Sequence, residues 1–156
     1  MAGILNTNAV IQIGLIVKDV EKTKKKWAEF FNVPVPATVD SGEYEVTQTK
    51  YKGKAAKKSK CKMAFFEAGT NMQLELIQPN GEKSTWQDFL DKHGEGIHHI
   101  AFLVNGTKKI LETCEKKGIK CIQQGKYGDG GGEYAYLDTI KDLKCIIETL
   151  ESYPRK

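Results

Sequence analysis

Residues 93–104 read HGEGIHHIAFLV, a glycine-punctuated turn that runs into an apolar stretch with two histidines at its start. The apolar run predicts a β-strand. Because neighbouring side chains of a strand point to opposite faces, we expect His98 and His99 to lie on opposite faces and to have different roles. A single histidine in a strand is more often a hydrogen-bonded polar residue than a metal ligand. A metal-binding role therefore needs support from elsewhere in the chain.

That support comes from a second copy of the pattern near the N-terminus. Residues 12–17, QIGLIV, match residues 99–104, HIAFLV, position for position, and a lysine-rich helical segment follows each run. Gln12 and His99 are thus expected at equivalent places in two related halves. A buried glutamine must satisfy its amide. Gln12 is therefore either a hydrogen-bonding core residue or a ligand through its carbonyl oxygen.

The first half of the chain predicts one helix and four strands. Asp19 is a suitable N-cap for a helix that runs to about Phe31 and that Pro34 and Pro36 end. The other expected elements are a buried strand over 10–17, a strand over 38–50, a solvated lysine-rich connection over 51–60, and a hairpin of strands 61–67 and 72–77 around a turn at 69–71.

The second half repeats this order after a short helix that Ser84 caps. Its expected elements are the histidine strand, a helix over 108–117 that Gly118 ends, a strand over 119–124, a glycine-rich loop over 125–132, a hairpin of strands 133–137 and 143–150, and a frayed tail over 151–156. Each half is a βαβββ module in an α+β fold. We expect a single domain over 1–156, with module one at 9–80, a linker helix at 81–95 and module two at 96–151.

Four polar residues stand in otherwise apolar strands at positions that correspond between the halves. The alignment pairs Gln12 with His99, and it pairs Glu75 in LEL with Glu148 in IET. If the modules pack about a pseudo-two-fold axis, all four enter one cleft. Burying two carboxylates is unfavourable unless a cation neutralises them. One imidazole nitrogen and three oxygens suit a divalent metal ion such as Zn²⁺, Co²⁺, Ni²⁺ or Mn²⁺.

Composition and charge argue against several other classes of protein. A net charge of +4 with scattered lysines indicates a solvated surface, so we expect no nucleic-acid partner. The N-terminal apolar stretch over 9–17 is too short to span a bilayer and no basic region precedes it, so we expect no membrane association. The four cysteines lack C-x-x-C spacing, which favours reduced packing cysteines in a cytoplasmic protein.

From about residue 10 to residue 150 the chain resembles the vicinal oxygen chelate (glyoxalase/bleomycin resistance/dioxygenase) superfamily, which includes glyoxalase I and methylmalonyl-CoA epimerase. Residues 92–102, KHGEGIHHIAF, and 146–148, IIE, resemble the epimerases, whereas a set with glutamine at position 12 looks more like zinc-type glyoxalase I. The resemblance implies a curled, cleft-enclosing β-sheet with helices outside, and a homodimer. It also implies that His99 is the ligand of the histidine pair and that His98 is structural.

The implied activity is that of a metal-dependent isomerase. It would abstract a proton α to a thioester carbonyl through a metal-stabilised enolate, as methylmalonyl-CoA epimerase does. Glu148 would be the base as well as a ligand, and Glu75 would be a ligand that can return a proton. The loop 125–132, with Tyr127, is either a mobile cover over the cleft or a plain hairpin tip.

Other functions remain open within the same fold. A lactoylglutathione lyase would act on a glutathione adduct, a hemithioacetal, with the same four residues. A non-catalytic small-molecule-binding protein of the bleomycin-resistance type would not need the metal glutamates. An extradiol iron dioxygenase is disfavoured because it would want two histidine ligands and only His99 stands at a ligand position.

Overall fold

The computed structural model describes residues 3–154, which form one ten-stranded sheet with five helices. Along the sheet the strands follow the order β2-β5-β6-β1-β7-β10-β9-β8-β3-β4. The helices are α1 (Val20–Phe31), α2 (Tyr44–Thr47), α3 (Thr85–His93), α4 (Thr107–Lys116) and α5 (Ile140–Leu143). The strands are β1 (Val10–Ile16), β2 (Val39–Asp40), β3 (Lys50–Tyr51), β4 (Lys54–Ala55), β5 (Cys61–Glu67), β6 (Gln73–Pro79), β7 (Gly96–Leu103), β8 (Cys121–Lys126), β9 (Gly132–Leu137) and β10 (Ile146–Ser152).

The two repeats meet along β1 and β7, and their pairing explains the symmetry of the sheet. These strands run antiparallel with Ile13 opposite Ile100. Outside them, β6 lies parallel to β1 with Glu75 opposite Gly14, and β10 lies parallel to β7 with Glu148 opposite Ala101. The ladder thus relates the two halves by a pseudo-two-fold axis at the Ile13–Ile100 pair. The predicted α+β fold with a curled sheet is confirmed.

Helix α1 forms as its sequence predicts, but it ends before it reaches the prolines that were expected to end it. The side chain of Asp19 accepts a hydrogen bond from the backbone N–H of Lys22, which caps the helix. Asn32 adopts a left-handed conformation (φ 55°) and ends the helix two residues before Pro34. Buried residues of α1 pack on the outer face of β5 and β6, where Leu74 and Leu76 lie. This packing leaves the alternate residues of β6, including Glu75, on the inner face.

The predicted strand over 38–50 is wrong. Only Val39 and Asp40 pair with β5, at one end of the sheet, and the chain then turns through Gly42 (φ 97°) into helix α2. It continues to β3, which pairs with β8 at the other end. The segment 39–55, here called the crossing segment, therefore joins the outer edge of one module to that of the other. Glycine at position 42 breaks the alternation that the pattern suggested.

Two further features differ from the expectations for the ends of module two. The turn after β9 contains helix α5, and β10 continues to Ser152, so Glu151 is not frayed. Its carboxylate accepts hydrogen bonds from the backbone N–H groups of Gly106 (3.0 Å) and Thr107 (2.7 Å) at the start of α4. The carboxylate satisfies free N–H groups at the positive end of that helix dipole. Residues 155–156 of the expected tail lie outside the described residues.

The cysteines and the helices bear on the expected class of protein. All four cysteines are free thiols, and Cys61 and Cys114 are buried in hydrophobic clusters. None of the helices within residues 3–154 has both the length and the hydrophobicity needed to cross a bilayer.

Candidate metal centre

Three neighbouring strands bring Glu75, His99 and Glu148 together. Nε2 of His99 lies 2.9 Å from Oε2 of Glu148 and 3.5 Å from Oε2 of Glu75. One ligand atom of each residue lies within 4.8 Å of the other two. The convergence follows from the ladder, because Glu75 and Glu148 occupy equivalent positions on the strands that flank β1 and β7.

The three side chains are removed from water. His99 is 0% exposed, Glu148 is 3% exposed and Glu75 is 7% exposed. Burial, together with the charge of Glu148, raises the pKa of Glu75 to about 8, although His99 acts in the opposite direction. Burial alone would lower the pKa of His99, but the adjacent Glu148 carboxylate outweighs it and raises that pKa. Both groups thus hold protons more firmly than usual when no cation neutralises the cluster.

The orientation of the atoms fits a divalent cation. His99 Nε2 and Glu148 Oε2 are close, yet they are not aligned for a hydrogen bond, and each is a buried atom without a hydrogen-bond partner among residues 3–154. Orphaned buried polar atoms are unfavourable in a folded protein. An imidazole nitrogen and two carboxylate oxygens within 4.8 Å of one another are the donors that Zn²⁺ and similar ions accept.

The two histidines lie against each other, so the expectation that they occupy opposite faces is wrong. Gly14 pairs with His99 and Leu15 pairs with Ile97, which leaves His98 as the extra residue of a β-bulge. The bulge interrupts the alternation and places Nδ1 of His98 3.0 Å from Nδ1 of His99. Burial lowers the pKa of His98 to about 3, so this ring is neutral. With its Nδ1 engaged by His98, His99 presents Nε2 to the carboxylates.

Sequence reasoning missed the importance of Gly14. A β-carbon at this position would lie 2.0 Å from Cε1 of His99, so the imidazole occupies the space that any larger side chain would need. The signal was available in the repeat, because Gly14 aligns with Ala101 in the middle of an apolar strand. An isolated glycine in a strand often marks a close approach of another group.

Gln12 lies on the wall of the same inner space but bonds to a different residue. Its Nε2 donates to Oε1 of Gln73 at 3.3 Å. The amide oxygen of Gln12 takes no part in this hydrogen bond and is the atom available to bind a cation. Gln12 and Glu75 both line the cavity, and Gln12 stays a predicted rather than an observed member of the cluster.

A cavity of about 590 Å³ opens next to Glu75 and Glu148. Its apolar walls come from both modules. Residues that sequence reasoning did not foresee also line it: Trp86 from α3; Asp40, Ser41, Thr47 and Thr49 from the crossing segment; Tyr134 and Tyr136 from β9. Tyr127, which the sequence did indicate, lies on the wall with Gly128 and Asp129, while the mobility of that loop stays a prediction. Helix α3 therefore contributes to the cavity, unlike the outer helices α1 and α4.

Comparisons with known proteins agree with this architecture. The model of the family described as the Glyoxalase/Bleomycin resistance protein/Dioxygenase superfamily matches residues 11–136. The uncharacterized protein YqjC of Bacillus subtilis (strain 168) is 33% identical over 93 residues, which cover 59% of this chain and 66% of that protein. The ethylmalonyl-CoA/methylmalonyl-CoA epimerase of Cereibacter sphaeroides is 24% identical over 139 residues, which cover 87% of this chain and 92% of that protein.

A solved structure is similar over nearly the full length. The methylmalonyl-CoA epimerase of Streptomyces coelicolor, in complex with 2-nitronate-propionyl-CoA, superimposes with a TM-score of 0.65 at 20% identity. The match covers 93% of this chain and 97% of that chain. At this level of identity the likeness shows a common fold.

Proposed function

The chain belongs to the glyoxalase/bleomycin resistance protein/dioxygenase superfamily, and from that premise we propose that it is a metal-dependent isomerase that removes a proton α to the carbonyl of an acyl thioester. The observation that carries the proposal is the buried cluster of Glu75, His99 and Glu148 beside a largely apolar cavity. Two buried carboxylates next to an imidazole are costly in a purely structural role. The same three groups have a chemical use where a cation must be bound and a carbanion-like intermediate must be stabilised.

Gln12, Glu75, His99 and Glu148 would hold the cation. A divalent ion held by these residues would polarise a substrate carbonyl and would stabilise negative charge on its oxygen. The hydrogen bond from Gln12 to Gln73 orients the glutamine amide, so its oxygen is the predicted fourth ligand. The identity of the ion is part of the test below.

Glu148 is the residue proposed to take the α-proton. It lies on the cavity wall, and its carboxylate is close to His99, so a base and the ligand cluster face the same acyl group. Glu75 approaches from the adjacent module and is proposed to return a proton to the other side of the substrate. Met63, Phe65, Leu103 and Leu150 give the wall an apolar surface for the acyl group.

The similarity to the Cereibacter epimerase over most of both chains supports a thioester substrate. A second candidate is a lactoylglutathione lyase that acts on a hemithioacetal. The observation in its favour is the glutamine at position 12, because the resulting ligand set resembles that of zinc-type glyoxalase I. Both reactions begin with removal of a proton from carbon next to a carbonyl, so one experiment can separate them.

The experiment measures solvent deuterium exchange into the substrate by NMR. Protein loaded separately with Zn²⁺, Co²⁺, Ni²⁺ or Mn²⁺ is incubated in D₂O with methylmalonyl-CoA or with the hemithioacetal of methylglyoxal and glutathione. We expect exchange at the α-carbon of the thioester, and its loss in E148Q and in chelator-treated protein. Exchange in the hemithioacetal alone favours the lyase. Exchange in neither substrate contradicts both enzyme functions, and tight binding without exchange favours a small-molecule-binding protein.

The homodimer and the cytoplasmic location stay predictions. Light scattering of the purified protein measures the first, and cell fractionation tests the second. A monomer at micromolar concentration would contradict the expected assembly without bearing on the chemistry of the site.

A further inference from the structure

Tyr136 has no role in the ligand cluster, yet its ring packs against His99 of that cluster. On the sheet Tyr136 pairs directly with Glu148, and its ring centre lies 5.0 Å from that of His99 and 5.1 Å from that of His98. The side chain lines the cavity although only 2% of the residue is exposed. Tyr136 is therefore part of the wall that an acyl group beside Glu148 would contact.

The hydrogen bonding of the Tyr136 hydroxyl leaves its proton unused. Nε1 of Trp86 donates to this oxygen at 3.0 Å. Because an indole N–H can only donate, the tyrosine oxygen is the acceptor and its own O–H remains available as a donor. Trp86 is the one hydrogen-bond partner recorded for the hydroxyl within residues 3–154. A buried O–H needs an acceptor, and a substrate oxygen in the cavity would supply one.

A tyrosine outside the cavity shows the contrast. The hydroxyl of Tyr51, in the crossing segment, donates a hydrogen bond to the carboxylate of Asp88, so its proton has an acceptor. Tyr51 is not among the residues that line the cavity. Tyr51 is thus the control for Tyr136.

The Tyr136 hydroxyl lies in a site shielded from water, since only 2% of the residue is exposed. A fixed donor in a site shielded from water stabilises a developing oxyanion without reorganising.

We propose that the Tyr136 hydroxyl, oriented by Trp86, donates a hydrogen bond to the substrate oxygen on which negative charge develops as the α-proton leaves. The inference rests on the proposed function. In this step Glu148 gains the α-proton, the electron pair of the broken C–H bond moves toward the carbonyl oxygen, and Tyr136 retains its proton. Tyr136 thus contacts the reacting atoms and selects a substrate with a carbonyl oxygen at this place.

The test compares Y136F with Y51F and wild type in the metal-loaded protein. The deuterium exchange rate of methylmalonyl-CoA should fall about 30-fold or more in Y136F, because a single oxyanion donor contributes on the order of 100-fold or more to the rate. The rate should change by less than about threefold in Y51F. Calorimetry gives a second readout with two probes. In Y136F the affinity for 2-nitronate-propionyl-CoA, which carries the charge, should fall about tenfold while the affinity for propionyl-CoA stays within about twofold.

Y136F leaves the indole N–H of Trp86 without an acceptor, so its melting temperature is measured too. The double variant W86F/Y136F removes both partners and provides the same comparison if the single variant unfolds. Exchange and nitronate affinity in Y136F that match those of wild type would overturn the role of Tyr136 and leave the proposed function intact. If wild type shows no exchange, the proposed function fails, and a wild type that binds neither probe overturns both.

Discussion

The imidazole of His99 lies directly over the backbone of Gly14 on the neighbouring strand. The space that a β-carbon would need at position 14 is occupied by Cε1, Nδ1 and Nε2 of the ring, all within 2.5 Å of it. The position of His99 therefore depends on the absence of a side chain at Gly14, across the interface of the two modules. The ring cannot move away freely, because His98 and Tyr136 pack against it from other sides.

We expect G14A to displace the His99 ring and to weaken metal binding. The added methyl group should destabilise the fold by about 1–3 kcal/mol, as overpacking of a core does, and reduce the affinity for Zn²⁺ by about tenfold or more. Chelator competition measures the affinity and thermal unfolding measures the stability. A101G is the matched control, since Ala101 is the equivalent position of module two. An affinity unchanged in G14A would show that the ring is not held at this place.

His98 is expected to orient His99. Replacing His98 by phenylalanine keeps an aromatic ring between Phe89 and Tyr136 but removes the nitrogen that contacts Nδ1 of His99. Loss of such a supporting hydrogen bond typically lowers metal affinity about 10- to 100-fold. Nitrogen-15 NMR of the histidine rings in metal-free protein reports the tautomer of His99 directly.

The exposed histidine of helix α3 provides the control for this change. His93 also packs against Phe89 but lies at the surface. We expect H93F to bind metal as wild type does. An H98F variant with wild-type affinity and an unchanged His99 tautomer would contradict the orienting role.

The metal-free protein should lose stability as the pH rises from about 6.5 to 8, above the pKa at which an unfolded His98 would bind a proton that the folded ring lacks. The folded-state pKa of Glu75 is raised to about 8 and that of His99 is also raised, so the folded state binds more protons than the unfolded chain in this range. Stability from such groups is fully present below the unfolded pKa and is lost as the pH rises through the folded pKa. A divalent cation should reverse the trend, because it replaces the protons.

Melting temperatures with and without Zn²⁺ between about pH 6.5 and pH 8 measure this coupling. We expect the increase on adding Zn²⁺ to grow with pH. In E75Q the metal-free melting temperature should depend less on pH, since the amide does not titrate. A metal-induced increase that is constant across this range would argue that protons and the ion do not compete for the cluster.

The glycine-rich loop and the crossing segment contact each other beside the cavity. A β-carbon on Gly128 would lie 2.9 Å from the backbone oxygen of Ser41. We therefore expect G128A to push the loop away from the crossing segment. Hydrogen exchange of residues 40–42 and 127–131 should become faster, and the affinity for propionyl-CoA should weaken by about three- to tenfold, about 1 kcal/mol.

G131A is the control on the same loop. A β-carbon at Gly131 would meet the side chain of Asp129, which can move, rather than backbone atoms of another segment. We expect this variant to bind and exchange like wild type. Equal behaviour of G128A and G131A would show that the contact with Ser41 does not hold the loop over the cavity.

The sequence alone indicated the candidate metal ligands of this protein. Glu75, His99 and Glu148 stand out because each interrupts an apolar strand, and the tandem repeat relates their positions. Alternation along a strand follows from local backbone stereochemistry, and a repeat implies that its copies pack symmetrically. Those two properties were enough to predict that the three side chains converge.

Tertiary structure decided what depends on register between distant segments. The bulge that places His98 against His99 arises only where β7 pairs with β1, so no local pattern contains it. The crossing segment, the bond from Trp86 to Tyr136, and the partner of Gln12 likewise depend on which elements meet. Side-chain alternation is set within a single strand. A hydrogen bond between side chains needs two segments, and these meet only when the chain has folded.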